Sequence, residues 1–195
     1  LACGAAAAAA PAAESPQRAS PAASAPVARD TSPDVRFIRG MLAHHAQALE
    51  MTALVPGRTT RQDIHLLAER IDVSQRDEIA LMERWLRARG EAVPAAGEHT
   101  HHGADHPQMP GMLTPEEMSR LAAASGAEFD RLFLELMIRH HEGALAMVAE
   151  LFATPGGGQA SDIFQIASDV DADQRAEIAR MQRMLAGPLP APGPR

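Results

Sequence analysis

The chain has 195 residues and a net charge of −7, and its acidic and basic residues are interspersed. No basic stripe is present that could neutralise phosphates, which argues against nucleic acid as a partner. Apolar residues make up 46% of the chain and aromatic residues only 3%, so a core must consist of Leu, Ile, Ala and Met. A single Cys excludes an internal disulfide.

Residues 1–31 combine this cysteine with a stretch rich in Ala, Pro and Ser, which predicts a disordered tether. Cys3 follows small residues, as at the processing site that ends a bacterial lipoprotein signal peptide. We therefore predict lipidation at Cys3, which would anchor an exported protein to the periplasmic or extracellular face of the cell envelope. The alternative is a free thiol on a disordered tail. No later window of 18 apolar residues predicts a membrane span.

Helix signals begin at Ser32, which predicts an N-cap followed by proline and a helix to about Val55. Thr60 is expected to cap a second helix, with Asp63 as its capping-box-like partner. This helix is predicted to end near Arg89, before a glycine. The first half of the ordered chain, residues 32–90, thus predicts a helical hairpin.

Residues 91–113 contain several Pro and Gly residues and predict a long loop. Thr114 opens a capping box for a short helix, and a long helix is expected to follow to about Ala153. Ser161 predicts the N-cap of the last helix, which ends near residue 187. Residues 188–195 are Pro-rich and predict a loose tail.

The second half of the ordered chain, residues 114–187, repeats the first. Met41, His44, His45 and Met51 recur 96 residues later as Met137, His140, His141 and Met147, and Gln75, Glu78 and Met82 recur 99 residues later as Gln174, Glu177 and Met181. We expect the three additional residues in the glycine-rich loop at 156–158. Because one hairpin cannot cover its apolar stripe, two repeated hairpins predict an all-α four-helix bundle over residues 32–187.

Polar side chains interrupt the apolar seam of each predicted hairpin. His44 shares the seam with Gln75 and Glu78 of the next helix. His45 is expected on the flank of the seam, about 100° from His44 around the helix axis. The second hairpin repeats this with His140, Gln174 and Glu177 on the seam and His141 on the flank. A buried carboxylate needs a partner, and either a structural His–Glu hydrogen bond or a metal ion would satisfy it. Both alternatives remain open.

Methionines lie on the same seams, and core filling is the default reading for them. Thioethers beside imidazoles would also suit soft Cu(I), and imidazoles suit Cu(II) as well. Met41 precedes His45 by four residues, and Met137 precedes His141 likewise, so each pair could reach one ion. The seam candidates are Met41, Met51, Met82, Met137, Met147 and Met181.

The predicted loop carries a second group of candidate ligands. Within 14 residues that have no core to fill lie His99, His101, His102, His106, Met109 and Met112. Short His-rich tracts commonly bind metal, although a soluble linker of biased composition is an equal alternative. The methionine content favours copper, and the lack of further cysteines removes thiolate zinc sites.

The stretch from Met41 to Ala48, followed by Gln75 to Leu86, resembles the family called domain of unknown function 305. Met137 to Ala144 and Gln174 to Met181 resemble its second copy, so the resemblance spans residues 32–186 without the loop. It implies a ferritin-like four-helix bundle, export, and in some members copper binding through Met and His. Ala43 and Arg139 depart from the proline common before the paired histidines, and neither is a proposed ligand.

Three functions follow from these observations. The first is an extracytoplasmic copper-binding lipoprotein that sequesters or hands on the ion, and the second is a non-catalytic helical adaptor with structural His–Glu pairs. The third, a ferritin-like oxidase, is disfavoured because Glu-x-x-His is absent from the predicted helices and each half offers only one repeated seam carboxylate. No nucleophile, base and acid set for hydrolysis stands out, so we predict no enzymatic activity.

Overall fold

The computed structural model describes residues 32–94 and 109–187. These ranges contain α-helices and no strand: α1 (Pro33–Ala53), α2 (Gln62–Ala88), α3 (Pro115–Ala123), α4 (Gly126–Ala153) and α5 (Ser161–Ala186). The predicted all-α class is confirmed. None of these helices is long and apolar enough to cross a membrane. The predicted lipidation site Cys3, the loop histidines His99, His101, His102 and His106, and the tail 188–195 lie outside the described residues.

The four long helices contact one another in a closed cycle, which is the arrangement of a four-helix bundle. α1 packs along α2 and α4 packs along α5, so the short connections make two antiparallel hairpins. α1 of the first hairpin also packs on α4 of the second, whereas α2 and α5 touch more lightly. The short helix α3 rests on α4. The bundle is therefore closed tightly on its α1–α4 side and loosely on its α2–α5 side.

Two of the predicted helix starts are confirmed. The Ser32 side chain accepts the Val35 N–H at 3.3 Å, with proline at the first helical position of α1. Thr114 and Glu117 form the reciprocal capping box of α3, with hydrogen bonds of 2.9 and 3.2 Å. Each satisfies backbone N–H groups that a helix start leaves free.

The other two predicted caps, Thr60 and Ser161, are wrong. α2 begins at Gln62 and α5 at Ser161 itself, and neither N-cap residue accepts a side-chain hydrogen bond. In both helices an aspartate of the first turn accepts the following N–H instead, Asp63 from Ile64 at 3.1 Å and Asp162 from Ile163 at 2.9 Å. A first-turn carboxylate also complements the helix dipole.

The three residues that separate the two halves lie mainly in helix α4, not in the glycine-rich loop where the sequence predicted them. The connections are of similar length, residues 54–61 in the first hairpin and 154–160 in the second. α1 ends at Ala53, eight residues after His45, whereas α4 ends at Ala153, twelve residues after His141. The extra residues therefore extend α4 by about one turn.

The apolar core consists of two separate clusters at opposite ends of the bundle. One surrounds Phe129 and Phe133, and the other surrounds Phe37 and Trp85. Each cluster takes methionines from both hairpins: Met51, Met137 and Met181 lie in the first, and Met41, Met82 and Met147 in the second. Apolar burial of this kind supplies most of the driving force for folding. The gap between the clusters holds the polar residues of the sequence pattern.

Candidate metal centre

A layer of polar side chains, which we call the waist, separates the two apolar clusters. On α1, Met41 belongs to one cluster and Ala48 to the other, and the paired histidines lie between them. The other three long helices contribute in the same way. The waist comprises His44, His45, Gln75, Glu78, His140, His141, Gln174 and Glu177, of which only Glu78 is more than slightly exposed.

One His–Glu pair joins the two helices of each hairpin across the waist. His45 Nε2 donates to Glu78 Oε2 at 2.5 Å, and His141 Nε2 donates to Glu177 Oε2 at 2.6 Å. Because a carboxylate only accepts, Nε2 carries the proton, and in the neutral ring Nδ1 keeps its lone pair. Both Nδ1 atoms are buried and have no hydrogen-bond partner in residues 32–94 and 109–187.

His45 and His141, which were predicted on the flank of the seam, are both fully buried. A helix in this bundle packs against two neighbours, so its buried face is wider than one seam. Of two adjacent residues, His44 therefore turns toward α4 and His45 toward α2. The structural pairing of histidine with glutamate is real, but it uses the second histidine of each pair instead of the first.

His44 and His140 meet at the centre of the waist, with ring centroids 3.8 Å apart and planes tilted by 38°. Burial, together with the neighbouring His45, lowers the pKa of His44 from 6.5 to about 3. Burial and the adjoining imidazole of His44 also lower the pKa of His140 well below its usual range. Both rings are therefore neutral at neutral pH, which is the form of imidazole that binds metal ions.

Unpartnered polar atoms are concentrated in this layer. Both ring nitrogens of His140 and both side-chain amide atoms of Gln75 are buried without a hydrogen-bond partner within the described ranges. The same holds for one oxygen each of Glu78 and Gln174. Leaving a buried polar group unsatisfied costs roughly 1–3 kcal/mol, so such a concentration fits a layer that receives a ligand or water.

The predicted methionine ligands fall into two groups. Those of the helices, Met41, Met51, Met82, Met137, Met147 and Met181, are buried in the two apolar clusters on either side of the waist. Met109 packs against the cluster that contains Met41, and both Met109 Sδ and Met147 Cε approach the backbone of Gly40. Met112 is partly buried. Core filling accounts for the helical methionines, and those within four residues of a waist histidine or glutamate remain candidates, namely Met41, Met82, Met137 and Met181.

The residues at the end of the predicted loop form a feature that the sequence pattern did not indicate. Residues Met109–Leu113, which we call the strap, cross α4 beside the waist, and the Pro110 carbonyl accepts the Nε2–H of His44 at 3.1 Å. A Cβ atom at Gly143 of α4 would overlap the Pro110 carbonyl. The one available signal was a glycine inside a helical pattern, which often marks close backbone approach.

A groove between α2 and α5 leads from the surface to the waist. Glu177 lines a cavity of about 420 Å³ in this groove and Glu78 lines a neighbouring one of about 460 Å³. Asp173 lies at both cavities, and burial together with the charges of Glu78 and Glu177 raises its pKa. The glutamates thus connect the buried histidines to solvent.

The predicted ligands do not form a finished cage. No three His, Cys, Asp or Glu side chains of residues 32–94 and 109–187 are grouped so that they could hold a metal ion. Glu78 and Glu177, which the sequence predicted as ligands, are occupied as hydrogen-bond acceptors of histidine. This is the position of the outer carboxylate in a carboxylate–histidine–metal arrangement, where the carboxylate orients the ring that binds.

Solved structures of proteins with similar sequences align with most of the chain. A DUF305 fragment from Deinococcus radiodurans is 32% identical, with a TM-score of 0.67 over 82% of this chain and 99% of that one. A DUF305 protein from Streptomyces coelicolor, described as secreted, is 30% identical, with a TM-score of 0.67 over 80% of this chain and 93% of that one. No curated protein matches.

A third similar structure was solved with a metal ion. CopM in its Cu(I)-bound form is 26% identical, with a TM-score of 0.60 over 78% of this chain and 95% of that one. CopM was also solved in Cu(II)-bound and Ag-bound forms. The family model described as a domain of unknown function matches residues 34–185 of this sequence. The chain therefore belongs to the DUF305 family.

Proposed function

We propose that this protein is an exported copper-binding protein whose waist binds Cu(I) through imidazole nitrogens, assisted by methionine thioethers. The observation that carries the proposal is the pair of buried, unpartnered Nδ1 atoms of His45 and His141. Each belongs to a ring whose Nε2–H is already held by a glutamate. Such a ring is oriented and made more basic before an ion arrives, as in metal sites that use an outer carboxylate.

Copper is favoured over other metals by the chemistry of the available donors. Thiolates are absent from the waist, each glutamate already accepts a hydrogen bond from histidine through one oxygen, and the apolar clusters on either side of the imidazoles contain thioethers. Imidazole and thioether together select soft Cu(I), while imidazole also accepts Cu(II). The Cu(I)-bound, Cu(II)-bound and Ag-bound forms of the similar protein CopM support the same choice.

The proposal includes three further parts, of which the first two lie outside the described residues. Lipidation at Cys3 would hold the bundle at the cell envelope, and export agrees with the description of the Streptomyces coelicolor protein as secreted. The histidines of the loop, His99, His101, His102 and His106, would form a second, more exposed binding segment. The two repeated hairpins would provide equivalent His–Glu pairs, one in each half.

The competing function is a helical adaptor in which the His–Glu pairs are purely structural. Its supporting observation is that each pair forms a short hydrogen bond between neighbouring helices, which would fix their register without any ion. A ferritin-like oxidase would need Glu-x-x-His motifs on the helices of the bundle, and none of the helices α1 to α5 carries one. We propose no catalytic activity, and copper-stimulated oxidation with turnover would contradict this.

The deciding experiment is native mass spectrometry of the full chain, produced without lipid and titrated with Cu(I), Cu(II), Zn(II) and Fe(II). The test variant carries His45→Gln and His141→Gln, because the glutamine amide can still donate to glutamate but lacks the ring Nδ1. The control is His65→Gln, since His65 is hydrogen-bonded to the Thr59 carbonyl, outside the waist. We expect whole-number Cu(I) binding to wild type and the control, and loss of the waist-bound ion in the test variant.

A second variant separates the waist from the loop, with His99, His101, His102 and His106 all changed to Ala. Retained Cu(I) in this variant locates an ion in the bundle, and loss of all copper locates it in the loop. If wild type shows only the weak adducts of an unrelated control protein, the copper proposal fails and the adaptor is supported. Binding by imidazole should also weaken as pH falls through roughly 6.5, the ordinary pKa of histidine.

A further inference from the structure

The strap is held on the bundle by contacts at both of its ends. Toward its C-terminal end, the Gln47 side chain of α1 makes two buried hydrogen bonds to Leu113, donating to its carbonyl at 3.0 Å and accepting its N–H at 2.7 Å. Toward its N-terminal end, Met109 packs into the apolar cluster that contains Met41. A paired amide of this kind fixes the position of the backbone as a β-ladder would.

Close backbone contact brings the middle of the strap down onto α4. Gly111 has φ of +76°, a conformation that favours glycine, and a Cβ atom there would lie 2.6 Å from the Arg139 carbonyl oxygen. A Cβ atom at Gly143 would overlap the Pro110 carbonyl from the opposite side. The two glycines therefore allow the Pro110 carbonyl to reach the ring of His44.

This contact makes the two central histidines different. His44 donates its Nε2–H to Pro110 at 3.1 Å, while both ring nitrogens of His140 have no partner among the described residues. A backbone carbonyl only accepts, so the contact selects the tautomer of His44 with the proton on Nε2. Nδ1 is then the ring nitrogen of His44 that keeps its lone pair.

We propose that the strap positions His44 as a ligand, holding it in the Nε2–H tautomer so that Nδ1 is the atom presented to an ion. Pro110 and Gln47 are thus positioning residues, and the missing side chain of Gly143 leaves room for the Pro110 carbonyl. The inference rests on the proposed copper site for its consequence, since an outer carbonyl orients a metal-binding ring as a carboxylate does. The tautomer itself can be measured without any metal.

The test is long-range ¹H–¹⁵N correlation of the histidine rings in the full, unlipidated, metal-free chain. Wild type should show His44 as the Nε2–H tautomer, with slow exchange of that proton. Gly143→Ala should displace the strap, and His44 should then lose the single tautomer and exchange its ring proton faster. The matched control is Ala146→Ser, which likewise adds one heavy atom to α4 but at an exposed position.

A second variant, Gln47→Leu, removes the amide pair to Leu113 without adding volume beside the waist, and it should have the same effect as Gly143→Ala on the His44 tautomer. In Ag(I) titrations, both variants should bind about 10–100-fold more weakly than wild type, the usual effect of removing an orienting partner. Wild-type His44 in the Nδ1–H tautomer would overturn the inference. So would folded strap variants that keep the wild-type ring signals. If wild type binds no Ag(I) or Cu(I) yet shows the expected tautomer, the proposed function fails and the positioning of His44 stands.

Discussion

The two hairpins share one histidine contact and differ in the other. His45–Glu78 and His141–Glu177 have nearly the same geometry, at 2.5 and 2.6 Å, and involve the second histidine of each pair. The first histidines, His44 and His140, face each other, but only His44 is held by the strap. The contact inside each hairpin thus involves residues that recur at matching positions in the two halves, whereas the difference between the halves comes from the segment that joins them.

The largest expected effect tests whether both central histidines, His44 and His140, are buried in their neutral form. Their pKa values are lowered on folding, that of His44 from 6.5 to about 3, so the unfolded chain takes up protons first as pH falls. The contribution of the histidines to stability should therefore be complete well above pH 6.5, and for His44 alone it should fall by about 2 kcal/mol between pH 6.5 and 4.5.

Urea denaturation at several pH values measures this loss. The window above pH 4.5 leaves out the loss from Glu117, whose pKa the Arg139 side chain lowers to about 2, because that loss begins only below the ordinary glutamate value of 4.5. His44→Gln and His140→Gln should each flatten the dependence. A free energy of unfolding that stays constant from pH 6.5 to 4.5 would contradict the buried neutral pair.

The next comparison concerns Glu78 and Glu177, which accept the hydrogen bonds of the two His–Glu pairs. Glu177→Ala leaves the Nε2–H of His141 buried and unpaired, which should cost about 1–3 kcal/mol of stability. Glu78→Ala should cost less, because the Glu78 side chain is 12% exposed against 5% for Glu177, and water can replace it more readily. Thermal and urea unfolding at pH 7 measure both.

The control for the glutamate series is Glu83→Ala, which removes an exposed ion pair to Arg87 and should change stability by less than about 0.5 kcal/mol. Glu177→Gln should recover most of the loss, since the amide oxygen still accepts from His141. Equal, small effects at all three glutamates would show that the His–Glu contacts do not hold the hairpins together.

The helices and their pairing could be predicted from the sequence, because apolar periodicity and capping residues are local signals. Ser32 and Thr114 marked their helix starts correctly. The partner of each glutamate could not be assigned, because a seam drawn along one helix allows for one neighbour. In the bundle, adjacent residues such as His44 and His45 face different helices.

The strap was beyond prediction for a different reason. The contact between His44 and Pro110 joins residues 66 positions apart, and it is made by a backbone carbonyl that every residue possesses. The one sequence feature related to this contact was Gly143, a glycine inside a helical pattern. It stands at the position where the first half has Gln47. These two non-matching residues are the ones that admit and fasten the strap.

The smallest expected effect tests a difference between the two hairpins in the residues that line the α2–α5 groove. Asp173 of the second hairpin stands where the first has Ser74, and both line the groove beside the two glutamates. Burial and repulsion from Glu78 and Glu177 raise the pKa of Asp173, so its charged form is less favourable in the folded protein than in the unfolded chain. Asp173→Asn should therefore raise stability at pH 7 by a few tenths of a kcal/mol, since the site is largely solvated.

The sign of this effect distinguishes repulsion from a general loss of surface charge. Because the folded pKa of Asp173 is raised, the gain from Asp173→Asn should be present at neutral pH and vanish as pH falls below the ordinary aspartate value of 3.8. Asp171→Asn removes an attractive pair with Arg175 on the same helix and should lower stability slightly instead. If both substitutions change the melting temperature in the same direction, the repulsion at the groove is not what distinguishes Asp173. If they differ as expected, the acidic groove carries a small cost that a bound cation would relieve.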